Sequence, residues 1–157
     1  MCAPFEKNDE FRLDSLSALL EGSPTPLSAL ANGAAYLFDT LPEINWAGFY
    51  EKKGKKLVLS AFQGKPACLE IPIGKGVCGT AAKEKRPVCV PDVHAFPGHI
   101  ACDAASRSEV VVPIRARGGI VAVLDVDSPM PGRFTEADKA GLEQLAAVVE
   151  RELEELW

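Results

Sequence analysis

The stretch EVVVPIRARGGIVAVLDVDS, residues 109–128, constrains this chain most. Two β-branched runs flank Gly118-Gly119, too close together to admit the dozen or more residues of a parallel crossover. They predict an antiparallel hairpin. NWAGFYEKKGKKLVLSAFQG, residues 45–64, reads the same way, as two strands with a turn at Gly54. CLEIPI (68–73) and PVCVPDV (87–93) add brief strands. Helices flank this β region. Residues 9–21 set Phe11, Leu13, Leu16, Leu19 and Leu20 at helical spacing before Gly22, and residues 26–40 run from a first-turn proline to Pro42. The last helix opens on a capping box of Thr135 and Asp138 and carries a stripe of Leu142, Leu145, Ala146, Val149, Leu153 and Leu156. The pattern predicts one α+β domain over residues 1–157. Its central antiparallel sheet has the N- and C-terminal helices on one face and a ligand pocket on the other.

The bulk numbers narrow the function classes. The net charge of −5 opposes nucleic-acid binding, and the lone basic cluster, KKGKK at residues 52–56, reads as a solvated hairpin tip. The polar N-terminus is unlike a secretory signal, and no apolar run approaches the ~20 residues of a membrane span, so the expectation is a cytoplasmic protein. Five cysteines, an odd number with no C-x-x-C, fit neither a structural disulfide framework nor a zinc ribbon. Four of them, Cys68, Cys78, Cys89 and Cys102, fall between residues 68 and 102, which suggests redox chemistry.

GKGVCGTAA, residues 74–82, fits the dinucleotide pattern G-x-G-x-x-G, but the preceding strand contains Pro72 and the later strands are joined by hairpins. The glycines read instead as turn geometry followed by a helical segment, TAAKEK. Their free N–H groups at a helix start suit an anion, and that position favours the thiolate of Cys78 at the rim of a site. HAFPGHIACDAASRSE, residues 94–109, has no periodicity and reads as a long loop. It places Cys102 beside Asp103 and near His99 and Arg107. Glu109 begins a strand, where a pocket carboxyl of raised pKa would serve as a proton donor. In LDVDSP, Asp125 and Asp127 share a strand face roughly 7 Å apart and suit a cationic ligand. A metal is disfavoured there, since no His or third acid adjoins them in sequence. Trp46 and Tyr50 also share a strand face and suit an aromatic wall.

The stretch IPIGKGVCGTAAKEKRPVCVPDV resembles the middle of GAF domains, a PAS-related sensor fold. NWAGFY, GKGVCGTA, FPGHIACD, SRSEVVVP and LDVDSP, in that order, resemble the free methionine-(R)-sulfoxide reductases, which are GAF-fold enzymes. The match runs from about residue 26 into the last helix. The resemblance implies that Cys102 attacks the sulfoxide sulfur and becomes a sulfenic acid. Cys68 or Cys78 then resolves it as a disulfide, and thioredoxin regenerates the thiols. It also implies that Glu109 is functional, that Asp125 and Asp127 bind the substrate ammonium, and that Trp46 and Tyr50 enclose the S-methyl group. The substrate carboxylate is left to N–H groups near Gly76–Gly79 or in the 98–108 loop. No bound cofactor or metal is implied, a homodimer is allowed, and Cys2 and Cys89 receive no role.

Besides a cysteine hydrolase at Cys102, for which no oxyanion-hole motif is evident, two rivals stand beside this reading. One is a non-catalytic GAF sensor for a small amino acid or nucleotide, which needs no aligned thiols. The other is a zinc site from Cys89, His94, His99 and Cys102, whose spacings match no common finger.

Overall fold

The computed structural model describes residues 9–102 and 104–157, with side chains from Leu13 onward. Cys2, Asp103 and the side chain of Phe11 lie outside the described residues. The elements follow as α1 (Asp9–Leu20), α2 (Pro26–Thr40), β1 (Trp46–Lys53), β2 (Lys56–Gly64), β3 (Glu70–Pro72), α3 (Gly76–Glu84), β4 (Val88–Val90), β5 (Ser108–Ala116), β6 (Gly119–Ser128) and α4 (Glu136–Leu153). A short 3-10 turn, Val93–Ala95, sits in the long loop before β5.

The six strands form one antiparallel sheet in the order β3-β2-β1-β6-β5-β4. Pro72 is tolerated because β3 is an edge strand. Alternation along the strands divides the molecule into two apolar layers. Ala47, Phe49, Val110, Val112, Leu124 and Val126 pack against α1, α2 and α4, joined by Leu30, Leu37, Leu142, Leu145 and Val149. Trp46, Tyr50, Val111 and Val123 face the other way, toward Val77, Cys78 and Ala81 of α3.

Local chemistry explains the helix ends. Thr25 caps α2, its hydroxyl accepting from Ser28 N at 3.2 Å, with proline in the first turn. The capping box of α4 closes as expected: Thr135 N donates to Asp138 Oδ2 at 2.8 Å and Asp138 N donates to Thr135 Oγ1 at 3.1 Å. The same carboxylate holds Arg133 at 3.0 Å, and Arg133 Nη2 donates to Pro42 O, so this cap also fixes the chain leaving α2.

Two expectations change. The β5–β6 turn is centred on Arg117-Gly118, one residue earlier than the sequence suggests, with φ of 51° and 79°. A two-residue hairpin needs both central residues in the left-handed region, and Arg117 adopts it. The helix α3 begins at Gly76, inside the glycine stretch, rather than at Thr80. Gly79 makes this possible, because a Cβ there would stand 2.4 Å from Pro72 O. Gly74 N also donates to Gly79 O at 2.8 Å, drawing the helix start onto the end of β3.

Candidate active site

Three neighbouring strands deliver the polar and aromatic side chains to the face opposite α1, α2 and α4. In register, Trp46 pairs with Asp127, Gly48 with Asp125, and Tyr50 with Val123. Across the other edge of β6, Glu109 pairs with Asp127 and Val111 with Asp125. The start of α3 (Gly76, Val77, Cys78) and the loop bearing His99, Ile100, Cys102 and Ser106 close over them as a cleft. Every residue proposed from sequence as catalytic or substrate-binding lines this cleft except Cys68. Cys68 reaches it through a disulfide to Cys102, Cα to Cα 5.4 Å.

The aromatic wall is a short stack. The Trp46 ring lies 5.3 Å from Phe62 and 6.0 Å from Tyr50, at interplanar angles of 14° and 26°. Gly48 is what lets it form, because a Cβ there would stand 2.7 Å from the Trp46 ring and 2.4 Å from Phe62 Cβ. Gly48→Ala is therefore expected to displace Trp46. Overpacking of this kind costs ~1–3 kcal/mol, which predicts a rise in substrate KM of about tenfold with a smaller change in kcat. Steady-state kinetics check it.

Both polar handles of the wall anchor the segment that carries Cys68. Trp46 Nε1 donates to Lys65 O at 3.1 Å, and Tyr50 Oη donates to Cys68 O at 3.0 Å. Burial, then Asp125, pushes the Tyr50 phenol far above its ordinary range, so the phenol stays a donor at every working pH. Tyr50→Phe keeps the ring and frees the Cys68 carbonyl. Disulfide closure should slow by about tenfold, the worth of one buried hydrogen bond, while the first oxidation of Cys102 is little changed. Rapid-quench trapping of sulfenic acid checks this.

The floor is a cluster of buried acids. Glu109, Asp125 and Asp127 are each no more than 8% exposed. Cys78 Sγ donates to Glu109 Oε1 at 3.8 Å, and Asp125 Oδ1 is buried without a hydrogen-bond partner among the described residues. Burial, then Asp125, holds the Glu109 carboxyl well above the carboxylate range. Burial, then Asp127, does the same for Asp125. An ionised carboxylate sealed from water is costly unless paired, so without a cation these groups keep protons. A cation entering the cleft beside Asp125 would let that carboxyl ionise. His99 Nε2 stands 3.8 Å from Glu109 Oε2, and burial, then His94, lowers its pKa, so it meets the acid as neutral imidazole.

The chain matches the GAF domain model over residues 18–153. It is 51% identical over 137 residues to the free methionine-R-sulfoxide reductase of Escherichia coli, covering 87% of this chain and 83% of that one. The chain belongs to the free methionine-R-sulfoxide reductase family. Solved relatives agree with it in shape. The fRMsr of Staphylococcus aureus in complex with substrate superimposes at TM-score 0.88 with 46% identity, over 93% of this chain and 95% of that one. The free methionine-R-sulfoxide reductase of Neisseria meningitidis in complex with its substrate gives TM-score 0.89 with 39% identity, over 93% and 88%.

Within this reductase-family chain, three expectations need correction. Cys78 lies on the floor of the cleft, buried, not on its rim. Its thiolate is disfavoured, because burial, then Asp125 and Glu109, outweigh the helix start and push the thiol up. A third acid does stand beside Asp125 and Asp127: Glu109, brought opposite Asp127 by the β5–β6 register. Apart from these, the rival zinc set of Cys89, His94, His99 and Cys102, already disfavoured by its spacings, does not assemble. Cys89 packs on the helix-covered face with its Sγ toward Phe134 O at 3.7 Å, and Cys102 is bonded to Cys68.

Sequence reasoning missed Gly48 and Ser106. Ser106 lines the cleft and accepts from Asn45 Nδ2 at 3.2 Å. Gly48 was discoverable, since it sits on the shared face of Trp46 and Tyr50, where only a missing side chain lets the rings stack. Ser106 left no signal, because its place depends on a loop of irregular backbone.

Proposed function

We propose that this chain reduces the R epimer of free methionine S-oxide to methionine. The observation that carries the reading is the Cys68–Cys102 disulfide, which ends at a cleft walled by rings and floored by buried acids. Its relatives' names point to the same reaction.

The thiolate of Cys102 attacks the electrophilic sulfoxide sulfur while Glu109, protonated in the free cleft, gives its proton to the oxygen. The oxygen passes to Cys102 as a sulfenic acid, and methionine leaves with its sulfur reduced by two electrons. The Cys68 thiol displaces that oxygen as water and forms the disulfide. An external dithiol, thioredoxin, then exchanges with the half-buried bridge and restores both thiols. Overall, one sulfoxide and one dithiol give methionine, a disulfide and water. Cys68 fits the resolving role better than Cys78, since Cys68 is bonded to Cys102 and the Cys78 thiol is kept protonated.

Recognition follows from charge. The substrate ammonium suits the buried carboxyl groups of Asp125 and Asp127, and Trp46 and Tyr50 cover the S-methyl group. Thiol turnover of this kind fits a reducing compartment such as the cytoplasm. A sensor module has no need of a disulfide at its ligand cleft, so the enzyme reading is preferred.

The test is consumption of the separate R and S epimers of free methionine sulfoxide, with thioredoxin and its reductase as electron source. Turnover of R alone is expected. Equal use of both epimers, or of neither, would contradict the proposal.

A further inference from the structure

The floor of the cleft offers more than an ammonium needs. Cys78 Sγ and one carboxylate oxygen each from Glu109 and Asp125 lie within 4.8 Å of one another, and all three residues are buried. Cys78 Sγ stands 3.8 Å from Glu109 Oε1, and His99 Nε2 stands 3.8 Å from Glu109 Oε2 on the other side. A tetrahedral zinc ion with bonds of about 2.3 Å to sulfur and 2.0–2.1 Å to nitrogen or oxygen sets its ligand atoms roughly 3.4–3.6 Å apart. The Cys78–Glu109 pair at 3.8 Å needs to draw in only a little, and the set of three, within 4.8 Å of one another, by about 1 Å at most. A second, independent observation points to a ligand: Asp125 Oδ1 is buried without a hydrogen-bond partner among the described residues.

We propose that Cys78, Glu109 and Asp125 form a site for a zinc-class divalent cation that excludes substrate when filled. Donor chemistry selects the ion. Calcium and magnesium take oxygen ligands, whereas a thiolate beside carboxylates suits zinc or cadmium. An ammonium has no use for the sulfur, so the thiol distinguishes this site from the substrate's own. Binding converts the Cys78 thiol to a thiolate and releases its proton, together with any carried by the two carboxyls. Only the competition with substrate rests on the reading of the cleft above; metal binding itself does not.

The disulfide form of the protein tests this, because Cys68 and Cys102 are then unavailable as ligands. Equilibrium dialysis against zinc, followed by metal analysis, is expected to find one ion per chain. Cadmium should give the ultraviolet absorption of a cadmium–thiolate bond. Cys78→Ser should abolish that band and weaken zinc binding by at least about tenfold, and Asp125→Asn should weaken it comparably. Cys2→Ser and Cys89→Ser should retain both signals. Free methionine sulfoxide should raise the apparent Kd for zinc. A disulfide form that binds no zinc, or a Cys78→Ser protein that keeps the band, overturns the site. Zinc binding indifferent to methionine sulfoxide overturns the exclusion.

Discussion

Cys102→Ser is expected to abolish turnover of free methionine-R-sulfoxide, with a loss of at least about a thousandfold, on the scale seen when an enzyme nucleophile is removed. The size follows from the chemistry. A serine hydroxyl is hardly ionised near neutral pH and is a poor nucleophile toward sulfur, and it cannot become a sulfenic acid. The cleft itself should survive, because Cys102 is only half-buried and its replacement leaves Trp46, Asp125 and Asp127 in place. The variant should therefore still bind substrate while failing to consume it. Calorimetric titration beside a turnover assay separates the two. Cys68→Ser should behave differently, oxidising one equivalent of substrate rapidly and then stalling as a sulfenic acid.

Glu109→Gln is the second large effect. General acids contribute about a hundredfold to ten-thousandfold, and the same loss in kcat is expected here. The pH profile carries the sharper signature. Burial and Asp125 raise the Glu109 pKa, so the donor is protonated through the ordinary carboxylate range and is lost only as pH rises through the raised value. The kcat/KM of the native protein should accordingly fall on the alkaline side. Glu109→Gln should be low throughout and should lack the alkaline limb. An unchanged alkaline limb in that variant would assign the proton to another group.

Much of this site was legible because strands alternate. LDVDSP alone puts Asp125 and Asp127 on one face, and NWAGFY does the same for Trp46 and Tyr50. What one strand opposes on the next was not legible, because register hangs on the turn. A turn centred on Gly118-Gly119 with regular pairing would set Glu109 across from Ser128. The observed turn at Arg117-Gly118, with an irregularity between Ile114 and Arg115, sets it across from Asp127. That single step assembles the acid cluster. The state of Cys78 failed for a related reason. Sequence shows the helix start that favours a thiolate, but not the burial, nor the acids of β5 and β6, that oppose it. The function of Cys102 came from the family resemblance, since its loop has no periodicity from which to place a side chain.

The most direct measurement compares free methionine-R-sulfoxide with its N-acetyl form under the same reductant. Acetylation leaves the sulfur, the methyl group and the chirality alone and removes the positive charge that Asp125 and Asp127 are held to bind. The account predicts a fall in kcat/KM of about ten-thousandfold, the scale on which a site rejects a ligand that leaves its buried polar groups unpaired. Comparable rates on the two substrates would contradict it.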